Sequence, residues 1–340
     1  MEAFLNELTQ DIKHIFEYNI EATNAYVVPS RHDPNLTFPL GQDKKGKLLE
    51  TCVLMIDIRN STKISRQLKK DKVKLGKIYS AFIYAMTSIA DEYGYVRNIV
   101  GDRVMVVFEP KDCFTNAINC AALMYTVATR ILAKIIAIED FKIGIGIDYG
   151  EMLVLKTGIR KKHEEQSEYK SLVCVGDTAN TASKLCDFAN KAYSSPLFKI
   201  TYEYPDFENK LVGFKDTPHT SLLDAYLGKP KQIPVYERKL VTKTSTVSLN
   251  QSDFAKGVTN NSDGWKYDGK KVIGFSIENR AGTSSPILMS GKIVAEFKKL
   301  EPKSPYLAKL TSKDYPDKPY TGTGVYGGYL LIPEIDKIKL

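Results

Sequence analysis

An unbroken apolar run at residues 51–56, Thr-Cys-Val-Leu-Met-Ile, constrains the fold of this chain more than any other segment. A run without polar alternation is typical of a strand that is buried on both faces of a sheet. The run ends at Asp57, and the polar segment after it, Ile-Arg-Asn-Ser-Thr, is typical of a turn that begins a helix. The sequence therefore predicts a carboxylate at the end of a buried strand.

The apolar patterns around this strand predict an α+β fold. Segments with the apolar spacing of a helix alternate along the chain with segments typical of strands. Gly101-Asp102, between two of these strand-like segments, predicts a hairpin turn. This order predicts helices packed over a mostly antiparallel sheet. The predicted elements after the first strand are a helix at 75–90, strands at 95–100 and 103–108, a helix at 114–137, a strand that starts at 141 and continues past Gly150, a strand at 172–175, a helix at 178–192, and short strands at 197–203, 209–214 and 232–237.

The length of 340 residues corresponds to about two domains. Apolar residues follow a helical period from residue 1 to about 30, and a loop rich in Pro, Asn, Gly and Lys follows. Composition changes near residue 243, after which Gly, Ser, Thr, Tyr and Lys are frequent and alternating stretches such as 271–277 and 292–297 indicate strands. We expect an N-terminal helix and loop at 1–47, a central domain at 48–242 and a small β-rich domain at 243–340.

Composition narrows the class of protein without deciding it. The 48 basic and 40 acidic side chains give a net charge of +8, which suits a triphosphate ligand, a nucleic acid or plain solubility. The basic residues do not form a stripe with exposed aromatics, so we expect no nucleic-acid partner. The sequence contains neither a secretory signal pattern nor an apolar run of about 18 residues, so we expect a cytoplasmic protein without a membrane partner. The five cysteines lack metal-site spacing and are expected to be reduced.

Two aspartates are candidates for a cation site. Asp57 ends the buried strand, and Asp102 lies in the turn of the hairpin. If the hairpin pairs beside the Asp57 strand, both carboxylates point to one place, which is a usual arrangement for holding Mg²⁺ over a triphosphate. The alternatives are a helix cap at residues 60–62 and an ordinary Gly-Asp turn, neither of which needs a ligand.

Asn180 and Lys184 are candidates for contact with a substrate. They are four residues apart in a predicted helix, so both lie on one face. An amide and a cation on that face could hold a ribose and a transferring phosphoryl group. The alternative is a capped helix with a solvated lysine.

Together these segments resemble the class III nucleotide cyclases, which are the adenylate and guanylate cyclase catalytic domains. The resemblance covers roughly residues 48–240, and the four segments follow the order of the family. They are Asp57-Ile-Arg-Asn-Ser-Thr, Ile99-Val-Gly-Asp-Arg-Val-Met-Val-Val-Phe108, Ile143-Gly-Ile-Gly-Ile-Asp-Tyr-Gly150 and Gly176-Asp-Thr-Ala-Asn-Thr-Ala-Ser-Lys184.

The resemblance implies a ferredoxin-like βαββαβ core and a homodimer with active sites at its interface. It implies that Asp57 and Asp102, with the carbonyl of Ile58, bind two Mg²⁺ or Mn²⁺ ions. Asn180 of the other protomer would orient the ribose, and its Lys184 would stabilise the pentavalent phosphorus. Arginine is usual at the position of Lys184, and lysine keeps the charge but loses the bidentate geometry. Lys229 or Lys231 would grip the triphosphate.

The resemblance also locates two positions that read the base, here Asn98 and Val173. Adenylate cyclases have Lys with Asp or Thr there, and guanylate cyclases have Glu with Cys, so neither purine specificity carries over. Val173 adds an apolar wall, and Arg97 or Asn98 could read a smaller base. Arginine only donates hydrogen bonds, which suits uracil O4 better than the cytosine amine.

A cyclase domain followed by a small β-rich domain resembles the Pycsar pyrimidine cyclases of bacterial anti-phage defence. The resemblance implies conversion of UTP or CTP to cyclic UMP or cyclic CMP, with a phage-derived trigger acting at the C-terminal domain. One alternative is an ordinary adenylate or guanylate cyclase. Another is an inactive cyclase-fold module that binds a nucleotide for regulation, although such a module tends to lose a metal ligand.

Overall fold

The computed structural model describes residues 1–17, 19–37, 44–158, 160–161, 164–165, 171–217, 231–313 and 324–333. The chain divides into two units. Unit 1 comprises Met1–Tyr193 and Thr283–Leu340, and unit 2 comprises Ser194–Gly282.

Unit 1 is a mixed sheet with helices on both faces. Its helices are α1 (Glu2–Glu17), α2 (Ser61–Gln67), α3 (Lys72–Tyr93), α4 (Cys113–Val127), α5 (Ala133–Ile136) and α6 (Asp177–Phe188), with α8 (Gly291–Leu300) near the end of the chain. Its strands are β1 (Glu21–Ala25), β2 (Lys45–Ile58), β3 (Tyr95–Val100), β4 (Arg103–Val107), β5 (Ile143–Thr157), β6 (Arg160–Lys161), β7 (Glu164–Glu165), β8 (Ser171–Val175), β14 (Ile287–Ser290), β15 (Thr311–Lys313) and β16 (Val325–Gly328).

The main sheet has the order β15-β16-β14-β5-β2-β4-β3, with β1 paired to β2 and β8 paired to β5. Strand β2 is central and runs antiparallel to β5 and to β4, with Ile56 opposite Ile145 on β5 and Val104 on β4. The arrangement confirms the predicted α+β fold with a mostly antiparallel sheet.

Alternation along β2 divides the core into two clusters. Cys52, Leu54 and Ile56 face α3 and α4 in the larger cluster, whereas Val53 and Met55 face α6 in the smaller one. Because side chains alternate between faces, Asp57 follows Met55 onto the face that α6 covers. The fold therefore brings this carboxylate beside α6.

Unit 2 is built on a long hairpin. Its elements are β9 (Ala192–Thr217), β10 (Lys231–Leu249), α7 (Gln251–Gly257), β11 (Val258–Asn261), β12 (Gly264–Tyr267) and β13 (Lys270–Thr283), with the sheet order β10-β9-β13-β12-β11. Within unit 2 lies a cavity of about 370 Å³. Its walls are apolar and comprise Ile200, Phe254, Val258, Trp265, Val272, Ile273, Gly274 and Phe275.

Several predicted elements differ from the structure. The N-terminal helix ends at Glu17, well before residue 30, and is followed by β1, which pairs in parallel with β2. The short strands predicted between 197 and 237 are parts of the continuous strands β9 and β10. The stretch 292–297 is a helix, because Ile293 and Phe297 are one turn apart and both are buried in unit 1.

The C-terminal region is shared between the two units. The expected domain at 243–340 would leave residues after 283 outside the central sheet. Instead β14 pairs in parallel with β5, with Ile287 opposite Ile145, and Phe297 of α8 joins the larger core cluster. Residues 287–300 therefore complete the sheet and core of unit 1.

One helical segment among the described residues, Cys113–Ile136, is long and apolar enough to cross a membrane by length and composition. Half of its most apolar window is buried inside the protein, where Ala117, Ile118 and Met124 belong to the larger core cluster. Its place in the core accounts for its apolar composition.

Candidate active site

Asp57 lies at the end of β2, almost fully buried and between two arginines. Its Oδ2 atom accepts a hydrogen bond from Nη2 of Arg103 at 2.6 Å, and its Oδ1 atom pairs with the guanidinium of Arg59. Arg59 is the second residue after Asp57 and is itself only 4% exposed. A buried carboxylate with two guanidinium partners is well compensated in charge.

Asp102 is brought to the same strand end by the β3–β4 hairpin. The backbone N–H of Ile58 donates to Oδ2 of Asp102 at 3.0 Å. Asp102 is half-buried in the turn, and Ile58 directly follows Asp57 in β2. The structure therefore places Asp102 beside Ile58, at the strand end where Asp57 lies.

This set of oxygen donors fits a divalent cation that arrives with its substrate. Within the described residues there is no group of three or more His, Cys, Asp or Glu side chains that could hold a metal alone. Mg²⁺ is commonly bound through one or two carboxylates, with phosphate oxygens and water completing its shell. Asp57, Asp102 and the carbonyl of Ile58 match that requirement.

The two arginines extend the site to helix α6, and sequence reasoning missed them as functional candidates. Nη1 of Arg59 donates to the backbone carbonyl of Asp187 at 3.0 Å. Nη1 of Arg103 donates to Oγ of Ser183 at 2.9 Å, and its Nη2 also pairs with the carboxylate of Asp187.

A signal for this network was present in the sequence at Gly144, the first glycine of Gly-Ile-Gly in β5. A Cβ atom there would lie 2.6 Å from Cζ of Arg59, so glycine leaves the space that the guanidinium occupies. The Gly-Ile-Gly spacing indicated close packing, but the sequence alone does not say what packs there.

Asn180 and Lys184 lie on the exposed face of α6. The opposite face of the helix is buried through Ala182, Leu185 and Cys186. Within the part of the chain that the structure describes, neither side chain forms a hydrogen bond or an ion pair, and no contact joins them to the carboxylates. They are presented outward, where a second molecule could approach.

Arg97, Asn98 and Val173 are the residues expected to read the base. Arg97 is half-buried, whereas Asn98 and Val173 are exposed. It occupies the bulge of β3, and its guanidinium lies 4.9 Å from the centre of the Tyr95 ring. Burial lowers the pKa of Arg97, and the nearby Cys174, Tyr95 and Glu109 oppose that shift. Glu109 also accepts from the backbone N–H of Val28 at 3.1 Å, so the N-terminal segment reaches this edge of the sheet.

The strand registers change the expected pairing of Asn98 with Val173. Asn98 is exposed and lies opposite Met105, which belongs to the cluster on the α6 face. Val173 is 42% exposed and lies opposite Leu155, whereas the neighbouring Cys174 packs on the α6-face cluster. Because alternate residues point to opposite faces, Cys174 shares a face with Asn98 and Val173 does not. Cys174 is therefore a candidate that the sequence reasoning passed over.

The two lysines expected to grip the triphosphate cannot be placed at the site. Lys229 and the side chain of Lys231 lie outside the described part of the chain. The backbone of Lys231 begins β10 in unit 2.

Comparison with known proteins gives the family. A sequence model of the adenylate and guanylate cyclase catalytic domain matches residues 44–192. A uridylate cyclase of Gulbenkiania mobilis is 32% identical over 178 residues, which are 49% of this chain and 67% of that protein. The chain belongs to the adenylate and guanylate cyclase catalytic domain family. It is therefore a nucleotide cyclase, as predicted, and Asp57, Asp102, Asn180 and Lys184 all lie within the matched residues.

A cytidylate cyclase of Staphylococcus aureus is 38% identical over 109 residues, or 29% of this chain, and the match spans only 25% of that protein. Among solved structures, the adenylyl cyclase CyaB from P. aeruginosa is 22% identical with a TM-score of 0.37, over 42% of this chain and 73% of CyaB. The guanylyl cyclase Cya2 is 15% identical with a TM-score of 0.37, over 57% of this chain and 93% of Cya2. Members of the family generally use divalent metal ions and bind nucleotide substrates.

Proposed function

We propose that the protein cyclises a pyrimidine nucleoside triphosphate, UTP before CTP, to the 3′,5′-cyclic monophosphate with release of pyrophosphate. One contact supports the cyclase chemistry most directly. The backbone N–H of Ile58, the residue after Asp57, donates a hydrogen bond to Asp102 at 3.0 Å, so both aspartates lie at the same strand end. The relatives named uridylate cyclase and cytidylate cyclase support a pyrimidine substrate.

In this reaction the ribose 3′-oxygen attacks the α-phosphorus in line, and the bond to the β-phosphate oxygen breaks. Asp57, Asp102 and the Ile58 carbonyl would hold two Mg²⁺ or Mn²⁺ ions, which would lower the pKa of the 3′-hydroxyl and neutralise the leaving pyrophosphate. Asn180 orients the ribose by hydrogen bonding. Lys184 places a positive charge beside the phosphoryl oxygens as negative charge develops there.

The exposed positions of Asn180 and Lys184 support a homodimer in which each site is completed by the α6 helix of the partner. Within the described residues of one chain, no contact joins these side chains to Asp57 or Asp102. A second copy that presents the same face of α6 across a two-fold axis would build two equal sites.

The base preference rests on Arg97. A half-buried guanidinium offers only donors, so it matches the O4 carbonyl of uracil and leaves the N4 amine of cytosine unpaired. An unpaired polar group in a half-buried site costs about 1–3 kcal/mol. Asn98, exposed on the same sheet, can donate or accept and serves either pyrimidine.

A competition experiment tests this proposal. The protein is incubated with Mn²⁺ and equal concentrations of ATP, GTP, CTP and UTP, and the products are identified by mass spectrometry. We expect cyclic UMP as the main product and none from an Asp102→Asn variant. A main product from CTP would overturn only the Arg97 argument, and one from ATP or GTP would overturn the pyrimidine proposal. Absence of any product would favour an inactive nucleotide-binding module.

We further propose that the cyclic nucleotide is a cytoplasmic second messenger in anti-phage defence and that residues 243–282 of unit 2 respond to a phage-derived trigger. The cavity of about 370 Å³ in unit 2 offers an apolar binding place for such a signal. Measuring cyclic UMP in cells before and after phage infection tests the role. Unchanged levels during infection would contradict it.

A further inference from the structure

Arg103 connects two parts of the catalytic machinery that the proposed dimer assigns to different active sites. Its Nη2 atom donates to Asp57 at 2.6 Å and pairs with Asp187, and its Nη1 atom donates to Ser183 at 2.9 Å. Ser183 and Asp187 are one turn apart on α6, so one guanidinium joins the end of β2 to a face of that helix.

The same helix carries Asn180 and Lys184 on its exposed face. Under the proposed function, Asp57 serves one active site while Asn180 and Lys184 of the same chain serve the other. We propose that Arg103 is a positioning residue that couples the two active sites of the dimer by linking Asp57 to α6 within each protomer. This inference rests on the proposed function, because it requires sites shared between two chains.

The charges around Asp57 explain why Arg103 would respond to a cation. Asp57 and Asp187 carry two negative charges, and Arg59 and Arg103 carry two positive charges, so the group is neutral without a metal. A divalent cation at Asp57 competes with both guanidinium groups for the same carboxylate.

The two arginines differ in their freedom to move. The Arg59 side chain is 5% exposed and is held between the Asp187 carbonyl and the surface of Gly144. The Arg103 side chain is 32% exposed and has Ser183 and Asp187 as further partners, which can hold it if it leaves Asp57. Arg103 is therefore the group that yields to the cation, and its displacement is transmitted to α6.

The first test measures metal binding alone, without substrate. Free Mn²⁺ is titrated by electron paramagnetic resonance against wild type, Arg103→Gln and the exposed control Arg130→Gln. Loss of the competing cation should tighten Mn²⁺ binding about tenfold in Arg103→Gln. Arg103→Lys, which keeps the charge, should stay near wild type, and Arg130→Gln should not change. Equal Mn²⁺ affinity in Arg103→Gln and wild type would overturn the proposed competition.

The second test separates the two connections of Arg103. Mixing Asp102→Asn chains with Lys184→Ala chains leaves one intact site, with Asp57 from the Lys184→Ala chain and α6 from the Asp102→Asn chain. Adding Arg103→Gln to the Lys184→Ala chain should change the Mn²⁺ dependence of that site. Adding it to the Asp102→Asn chain should lower kcat and leave the Mn²⁺ dependence unchanged.

The outcomes distinguish this inference from the dimer on which it rests. If the parent mixture recovers no activity after confirmed subunit exchange, the shared site is wrong and the coupling falls with it. If the mixture recovers but Arg103→Gln acts identically from either chain, the shared site stands and the coupling is wrong. Thermal melts of Arg103→Gln and Arg103→Lys show whether a loss of fold contributes, and only variants that melt near wild type enter the comparison.

Discussion

Gly146 of β5 lies so close to Cys186 of α6 that a Cβ atom at position 146 would be 2.1 Å from the backbone nitrogen of Cys186. The same atom would be 2.2 Å from the carbonyl oxygen of Ala182. Both contacts are to backbone atoms of a helix, so no side-chain rotation can relieve them. The missing side chain of Gly146 therefore sets the distance between α6 and the sheet, and with it the position of the helix that carries Asn180 and Lys184.

We expect Gly146→Ala to displace α6 and to lower the free energy of unfolding by about 1–3 kcal/mol. The matched control is Gly76→Ala in α3, where a Cβ atom has no neighbour within 4 Å. Because alanine is the better helix former by about 1 kcal/mol, the control should raise stability. Urea denaturation measures both, and a Gly146→Ala protein as stable as wild type would contradict the packing argument.

The sequence predicted the parts of the site that follow from local patterns. It did not predict contacts between residues that are far apart in the chain. The apolar run before Asp57 predicted the central strand, and the Gly101-Asp102 turn predicted the hairpin that brings Asp102 to Ile58. The alternating pattern at 292–297 predicted a strand, and this prediction was wrong. A short apolar run can form either a strand or a helix. Here the segment is a helix, which places Ile293 and Phe297 in the same core.

The arginine network shows why part of the site escaped prediction. Arg59 and Arg103 acquire their roles from contacts with Asp187, which lies more than 80 residues away in the chain. The register of β8 against β5 decides that Cys174, and not Val173, lies on the sheet face that α6 covers. A shift by one residue exchanges the faces, and local sequence does not fix that register.

The two aspartates of the proposed metal site should differ in their effect on stability. Asp57→Asn removes the counter-charge of the buried Arg59, so it should abolish turnover and also cost about 3–5 kcal/mol of stability. Asp102→Asn keeps an oxygen acceptor for the N–H of Ile58, so it should abolish turnover and melt near wild type. Calorimetry on both variants checks this. Equal melting temperatures for the pair would mean that Asp57 does not neutralise Arg59 in solution.

Activity should be restored by mixing two inactive variants. Asp102→Asn removes a proposed metal ligand, and Lys184→Ala removes the cation on the exposed face of α6. If each site takes its carboxylates from one chain and its α6 from the other, random exchange should restore about a quarter of the wild-type sites. Product formation after exchange, followed over time, gives the measurement. Two variants mixed without exchange serve as the control, and permanent inactivity after exchange would indicate a site within one chain.

Arg97→Met should lower kcat/KM for UTP more than for CTP. Methionine keeps much of the side-chain volume beside Tyr95 but cannot donate to uracil O4. We expect a loss of about 10–100-fold for UTP, equivalent to about 1–3 kcal/mol. Cys174→Ser is the companion variant, since Cys174 is the residue of β8 that shares the face of Asn98. An equal loss for all four triphosphates would assign Arg97 a structural role.

Asp148 makes stability depend on pH in a direction that can be worked out. Burial raises the pKa of its carboxyl group and Asp177 adds to the shift, while Ser290, the N–H of Tyr149 and Lys292 oppose it. Between the ordinary and the raised pKa, the folded protein keeps a proton that the unfolded chain has lost. The free energy of unfolding therefore falls as pH rises through this window. Asp148→Asn removes the dependence, so its stability relative to wild type should increase between about pH 4 and about pH 7. Urea denaturation at both pH values measures the difference, with the exposed Asp91→Asn as the control. A relative stability of Asp148→Asn that falls with rising pH would contradict the sign of the shift.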